Sequence, residues 1–154
     1  MNTWNLMAAS TLLALTGCAG GTPDCASSEV EAFFQEQVVN PEVDGALERA
    51  KAYVEQTANN RFEAPVAQSQ LRAVEERGPH LRKGFTLKDT HATQVDKDLD
   101  IYLCEGTASL DNGVGGSASV DIEYKIYSVE GGDNDFGVEY DAVFKQLVRK
   151  ALYQ

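Results

Sequence analysis

Between Ala118 and Tyr127 apolar and polar side chains alternate without a break. Ala118, Val120, Ile122, Tyr124 and Ile126 are set against Ser119, Asp121, Glu123, Lys125 and Tyr127. A period of two places one set on each face, so the segment is expected to be a strand with one buried and one wet side. Two weaker strand patterns come before it, a Thr-rich Phe85–Val95 and Ile101–Leu110, joined by the turn Asp96-Lys-Asp-Leu-Asp100. The cluster Asp111-Asn-Gly-Val-Gly-Gly116 separates the second strand from the third, and Gly131–Asp135 marks the next turn. Phe136, Val138 and Tyr140 then form a short fourth strand.

Ahead of Gly84 the spacing is helical. Ser28-Glu29-Val30-Glu31 fits a capping box with Ser28 as cap and Glu31 reaching back. Val30, Phe33, Phe34 and Val38 carry that helix to about Asn40. Asn40-Pro41-Glu42 reads as a new start, with Asn as cap and Pro at the first helical position. Val43, Leu47, Ala50 and Val54 extend the second helix to Thr57. Gln68–Arg77 predicts a short helix closed by Gly78-Pro79. After Tyr140 the residues Val143, Phe144, Leu147, Val148, Ala151 and Leu152 favour a C-terminal helix over a longer strand. Asp141 is its expected cap, and Lys145, Arg149 and Lys150 suit its C-terminal dipole.

Helices first and a meander after predict an α+β class: N-terminal helices packed on an antiparallel meander of about four strands, closed by the C-terminal helix. As coarse topology this order looks like the cystatin-like arrangement, which implies a sheet wrapped around a helix. Gln37-Val38-Val39 is similar to the cystatin inhibitory loop in letters only, since it ends a helix and Asn40 stands where that motif has Gly.

Composition narrows the function. The 154 residues suit one domain. Thirteen Lys and Arg against 24 Asp and Glu give a net charge of −11, which argues against nucleic acid as a partner, because phosphate binding needs a cationic face. Two His and three Cys leave little material for a zinc site, and neither metal nor cofactor is expected.

The N-terminus carries the most specific signal. Met1–Gly17 has no charged side chain, and Leu6–Leu15 is an apolar run of ten residues, about half of the roughly 20 that cross a bilayer. It matches the apolar region of a secretory signal, although Met-Asn-Thr-Trp-Asn lacks the usual basic residue. Leu15-Thr16-Gly17-Cys18 resembles the lipobox of bacterial lipoproteins. That resemblance implies a signal peptide over 1–17, diacylglycerol and a further acyl chain on Cys18, and anchorage in a membrane. Ala19 in place of Asp points, by resemblance to enterobacterial sorting, to the outer membrane facing the periplasm. Residues 18–24 then form the lipidated cysteine and its tether, and 25–154 the domain. Six tether residues reach at most about 20 Å.

With Cys18 lipidated, Cys25 and Cys104 remain as an even pair, 79 positions apart and without a CxxC. In an oxidising compartment they are expected to form a disulfide.

Other constellations are weaker. Asp96-x-Asp98-x-Asp100 has the spacing of three calcium ligands, but Ile101 and Thr107 stand where an EF-hand loop needs Gly and Glu, so a solvated turn is the expectation. His80 and His91 lack a G-x-S-x-G nucleophile elbow. Charge is uneven: Arg61–His91 is the basic stretch, and Arg72, Arg77, Arg82, Lys83 and Lys88 make a candidate edge toward lipid phosphates or an acidic partner.

These observations predict a lipid-anchored envelope protein whose small domain binds a protein or envelope polymer and catalyses nothing. Two rivals stay open. One is a small enzyme with a pocket between helix and sheet, for which a cavity lined by His91 and Asp89 would speak; the other is an inhibitory or protective lipoprotein of the immunity type.

Overall fold

The computed structural model describes residues 23–129 and 136–154. The expected leader, Cys18 and the whole of the expected Gly131–Asp135 turn lie outside the described residues. The fold is α+β, as the patterns predict. Helical segments α1 (Ser28–Phe33), a π-helical turn (Phe34–Val39), α2 (Asn40–Thr57) and α3 (Ala64–Leu81) come first. Strands β1 (Phe85–Asp96), β2 (Ile101–Asp111), β3 (Ser117–Ser128) and β4 (Phe136–Tyr140) follow, and α4 (Val143–Tyr153) closes the chain. The sheet is an antiparallel meander in the order β1-β2-β3-β4.

The expected break at Asn40 is absent. Ser28–Thr57 is one continuous helix whose π turn absorbs an extra residue, with the Asn40 N–H bonding to the Gln35 carbonyl. The hydrophobic stripe explains this. Val30, Phe34 and Val38 form one series, while Val39, Val43, Ala46 and Ala50 form another, shifted by one residue, and all are buried. An unbroken α-helix would turn the second series off the core, whereas one wide turn brings both onto it. The wide turn also precedes Pro41, which relieves the clash its ring makes with the carbonyl four residues back. Asn40 caps nothing; its side chain accepts from Gln35 Nε2 at 2.9 Å.

Three more boundaries differ from expectation. Ser27, not Ser28, caps α1, its Oγ accepting from Val30 N at 3.3 Å. α3 starts at Ala64 and runs through Gly78-Pro79 to Leu81. A residue before proline normally resists helix because its Cβ meets the ring, and Gly78 has none. A Cβ there would also come within 3.2 Å of Val43 Cγ1, so the glycine sets the approach of α3 to α2. At α4 the cap position is Ala142, without a side-chain cap bond, and Asp141 takes no part.

All helices lie on one face of the sheet, against Ala108, Leu110, Ala118, Ile122, Tyr124, Ile126 and Val138. Phe34, fully buried, is the centre of this core. It stacks on Phe144 at 4.7 Å and meets the Tyr124 ring edge-on at 5.3 Å. The opposite sheet face is open to solvent.

β1 is an edge strand with two bulges, between Lys88 and His91 and between Ala92 and Gln94. Asp89 takes a positive φ of 53° at the first. Gly106 makes that bulge fit, because a Cβ there would sit 2.6 Å from Thr90 Cγ2. Before the bulges the outward N–H groups of Phe85 and Leu87 donate to Gln35 Oε1 and Glu31 Oε2, at 3.2 and 3.0 Å. The shift of the cap to Ser27 is what frees Glu31 for this job.

Candidate functional site

Cys25 and Cys104 are disulfide-bonded, with Cα atoms 5.7 Å apart. The bond fastens the start of the domain to the middle of β2. Tyr124 adds a hydrogen bond from its hydroxyl to the Cys25 carbonyl at 2.5 Å. Burial, with a smaller effect of the Asp24 charge, pushes this phenol up to about 12. Pro23 is already buried and Asp24 Oδ1 accepts from Ala26 N, so the fold takes in the last two residues assigned to the tether.

Of the five basic residues of the expected edge, two are engaged within the fold, Arg77 and Arg82. Arg72, Arg77 and Arg82 follow at five-residue intervals on α3 and its cap, which turns each about 140° from the last. Arg77 reaches under the end of α4 and donates Nη1 to the Leu152 carbonyl at 2.6 Å, beside Asn112 Nδ2 on the Ala151 carbonyl at 3.4 Å. Its buried Nε has no partner. It is therefore a helix-capping residue. Arg82 pairs with Asp44, and this hydrogen bond holds the Asp44 carboxyl below the usual carboxylate range. Lys83 follows α3, and Lys88 sits on β1 opposite Thr107.

His91 is exposed on the open face, 3.8 Å from Glu105, with Nδ1 3.2 Å from the Asp89 carbonyl oxygen. Glu105 lies directly opposite Glu123 in the register. Asp96 Oδ1 accepts from Asp98 N and Leu99 N, which uses that carboxylate in shaping the turn. Among the described residues no group of three or more His, Cys, Asp or Glu is placed to hold a metal.

One concave feature was not anticipated from the sequence. α2 and α4, with Gln70 of α3, line a groove of about 400 Å³. Small side chains make it: Ala46 and Ala50, one helical turn apart, offer little bulk to Val148 and Leu152 opposite. Tyr53 and Tyr153 stand at the walls, and Arg49 and Arg149 at the rim. Arg49 folds back along α2 over Gly45, where a Cβ would be 3.0 Å from its Nη1, and meets Glu42 at 3.0 Å. The sequence held a signal for this site: Val143–Gln154 contains three bases and no acid, against the acidic run of the chain.

No protein family, curated protein or solved structure matches the chain.

Proposed function

We propose that this chain is a membrane-anchored lipoprotein of the bacterial cell envelope whose α+β domain acts by binding, not by catalysis. The observation that carries the reading is Cys18 at the end of Leu15-Thr16-Gly17-Cys18, five residues before Pro23. Two or three acyl chains on that sulfur and amine hold firmly, since each buried CH₂ contributes about 0.8 kcal/mol and a single chain is only marginal. The Cys25–Cys104 bond supports export, because such bonds persist in oxidising compartments. Among the described residues no helix is long and apolar enough to cross a membrane, so on this reading attachment falls to the lipid. The short link between Cys18 and the clamp keeps the domain within about 20 Å of the bilayer.

The test is metabolic labelling of the full chain in a bacterial host with an alkyne-bearing palmitate, with mass spectrometry of the N-terminal peptide. The expected product starts at an acylated Cys18, and Cys18→Ser stays unlabelled and uncleaved. An intact Met1 with an unmodified Cys18 thiol in the wild-type chain overturns the assignment.

A further inference from the structure

Three cations that make no ion pair among the described residues share α4. Lys145, Arg149 and Lys150 lie on this helix, which has no acid, and among the described residues none of the three has a carboxylate partner. Lys145, Arg149 and Tyr153 recur every fourth residue and form one exposed stripe beside α2. On a chain of net charge −11 this is a positive island. Below the rim the groove is floored by Ala46, Ala50, Val148 and Leu152, with Gln70 of α3 as a further polar lining residue. Its volume of about 400 Å³ is that of a small-ligand site. A helix from a partner, about 10–12 Å across, does not fit it. A guanidinium fork matches a carboxylate in geometry as well as charge, and Glu42 occupies only Arg49.

We propose that the α2–α4 groove binds one alkyl carboxylate, with the head on Arg149 and Arg49 and the chain on the aliphatic floor between Tyr53 and Tyr153. The inference stands apart from the acylation of Cys18, so its test uses a chain that cannot be acylated.

The full chain carrying Cys18→Ser is labelled with ¹⁵N and titrated with dodecanoate below its micelle concentration, and amide shifts are followed by NMR. One saturable site is expected, with shifts centred on Ala46–Tyr53 and Val148–Tyr153. The double variant R49E/R149E, both side chains at the exposed rim, should weaken binding about tenfold or more. R49K/R149K should retain part of it. Ala50→Leu fills the trough and should abolish binding with the rim intact; if that variant fails to fold by circular dichroism, the arginine pair alone decides. Dodecyl maltoside, the same chain without charge, should bind about tenfold more weakly. Equal affinity in R49E/R149E, equal binding of the maltoside, shifts elsewhere or no saturation each overturn the site. So does association with phosphatidylglycerol vesicles without binding of dodecanoate, which would make α4 a membrane-facing helix instead.

Discussion

The two halves of the β1–β2 hairpin are made of similar residues and held in different ways. In the near half, Phe85–Lys88 with Thr107–Leu110, alternate side chains enter the core and helix side chains cover the strand edge. Past the bulges, in His91–Asp96 with Ile101–Glu105, Cys104 is the one fully buried residue, and Val95 and Leu103 remain 42% and 36% exposed. Burial fastens the first half. In the second the disulfide and the Tyr124 bond to Cys25 take over where the helical layer ends. The comparison teaches that a strand pattern reports pairing, while the depth of packing depends on what the rest of the chain lays over it.

The largest effect expected from this contrast is loss of the clamp. Replacing Cys25 and Cys104 with Ala should lower stability by about 4–5 kcal/mol, the chain-entropy value for a loop of this size. Urea unfolding reads the loss. Hydrogen exchange should speed up most in His91–Glu105; uniform acceleration would dissolve the distinction between the halves. Next, Gln35→Ala removes the acceptor of Phe85 N and the donors to the Leu81 carbonyl and Asn40, part-buried bonds together worth about 2–3 kcal/mol. This cost belongs to the near half and should be the same in reduced and oxidised protein.

Gly106→Ala tests the joint between the halves. The added Cβ meets Thr90, so a loss of about 1–3 kcal/mol is expected in thermal unfolding, with partial rescue by Thr90→Gly. Alkali probes the Tyr124 contact. Its folded-state value of about 12 lies above the ordinary 10.0, so the unfolded chain ionises first. The stability this group contributes is complete below pH 10 and is lost as pH rises toward about 12. Tyr124→Phe should flatten that decline in urea melts taken from pH 9 to 12. The smallest effect is expected at the arm surface, where Val95→Thr should change stability by no more than about 0.5 kcal/mol.

The strands were legible because alternation depends only on neighbours in sequence. β2, β3 and β4 fall within a residue or two of where the pattern puts them, and so does the α4 stripe. Helix boundaries were less legible. Asn40-Pro41 and Gly78-Pro79 carry the letters of ends and starts, yet both lie inside helices, because a π turn and a missing Cβ remove the clashes that proline usually causes. Two members of the expected basic edge show a related limit. Closeness in sequence grouped Arg77 and Arg82 with the rest, and contacts from elsewhere in the chain then engaged them.

The sequence by itself determined the class of fold, the order of its elements and the expected disulfide pair, and it holds the Leu15-Thr16-Gly17-Cys18 motif on which the envelope proposal rests. Each is a matter of spacing or of a short motif. Tertiary structure alone decided that Arg77 caps α4 and that Arg82 is consumed by Asp44. It also decided that Ala46 and Ala50 face Val148 and Leu152 across an open groove. Those outcomes depend on which surfaces meet when helices far apart in the chain pack on one sheet face, and a one-dimensional pattern does not contain that distance.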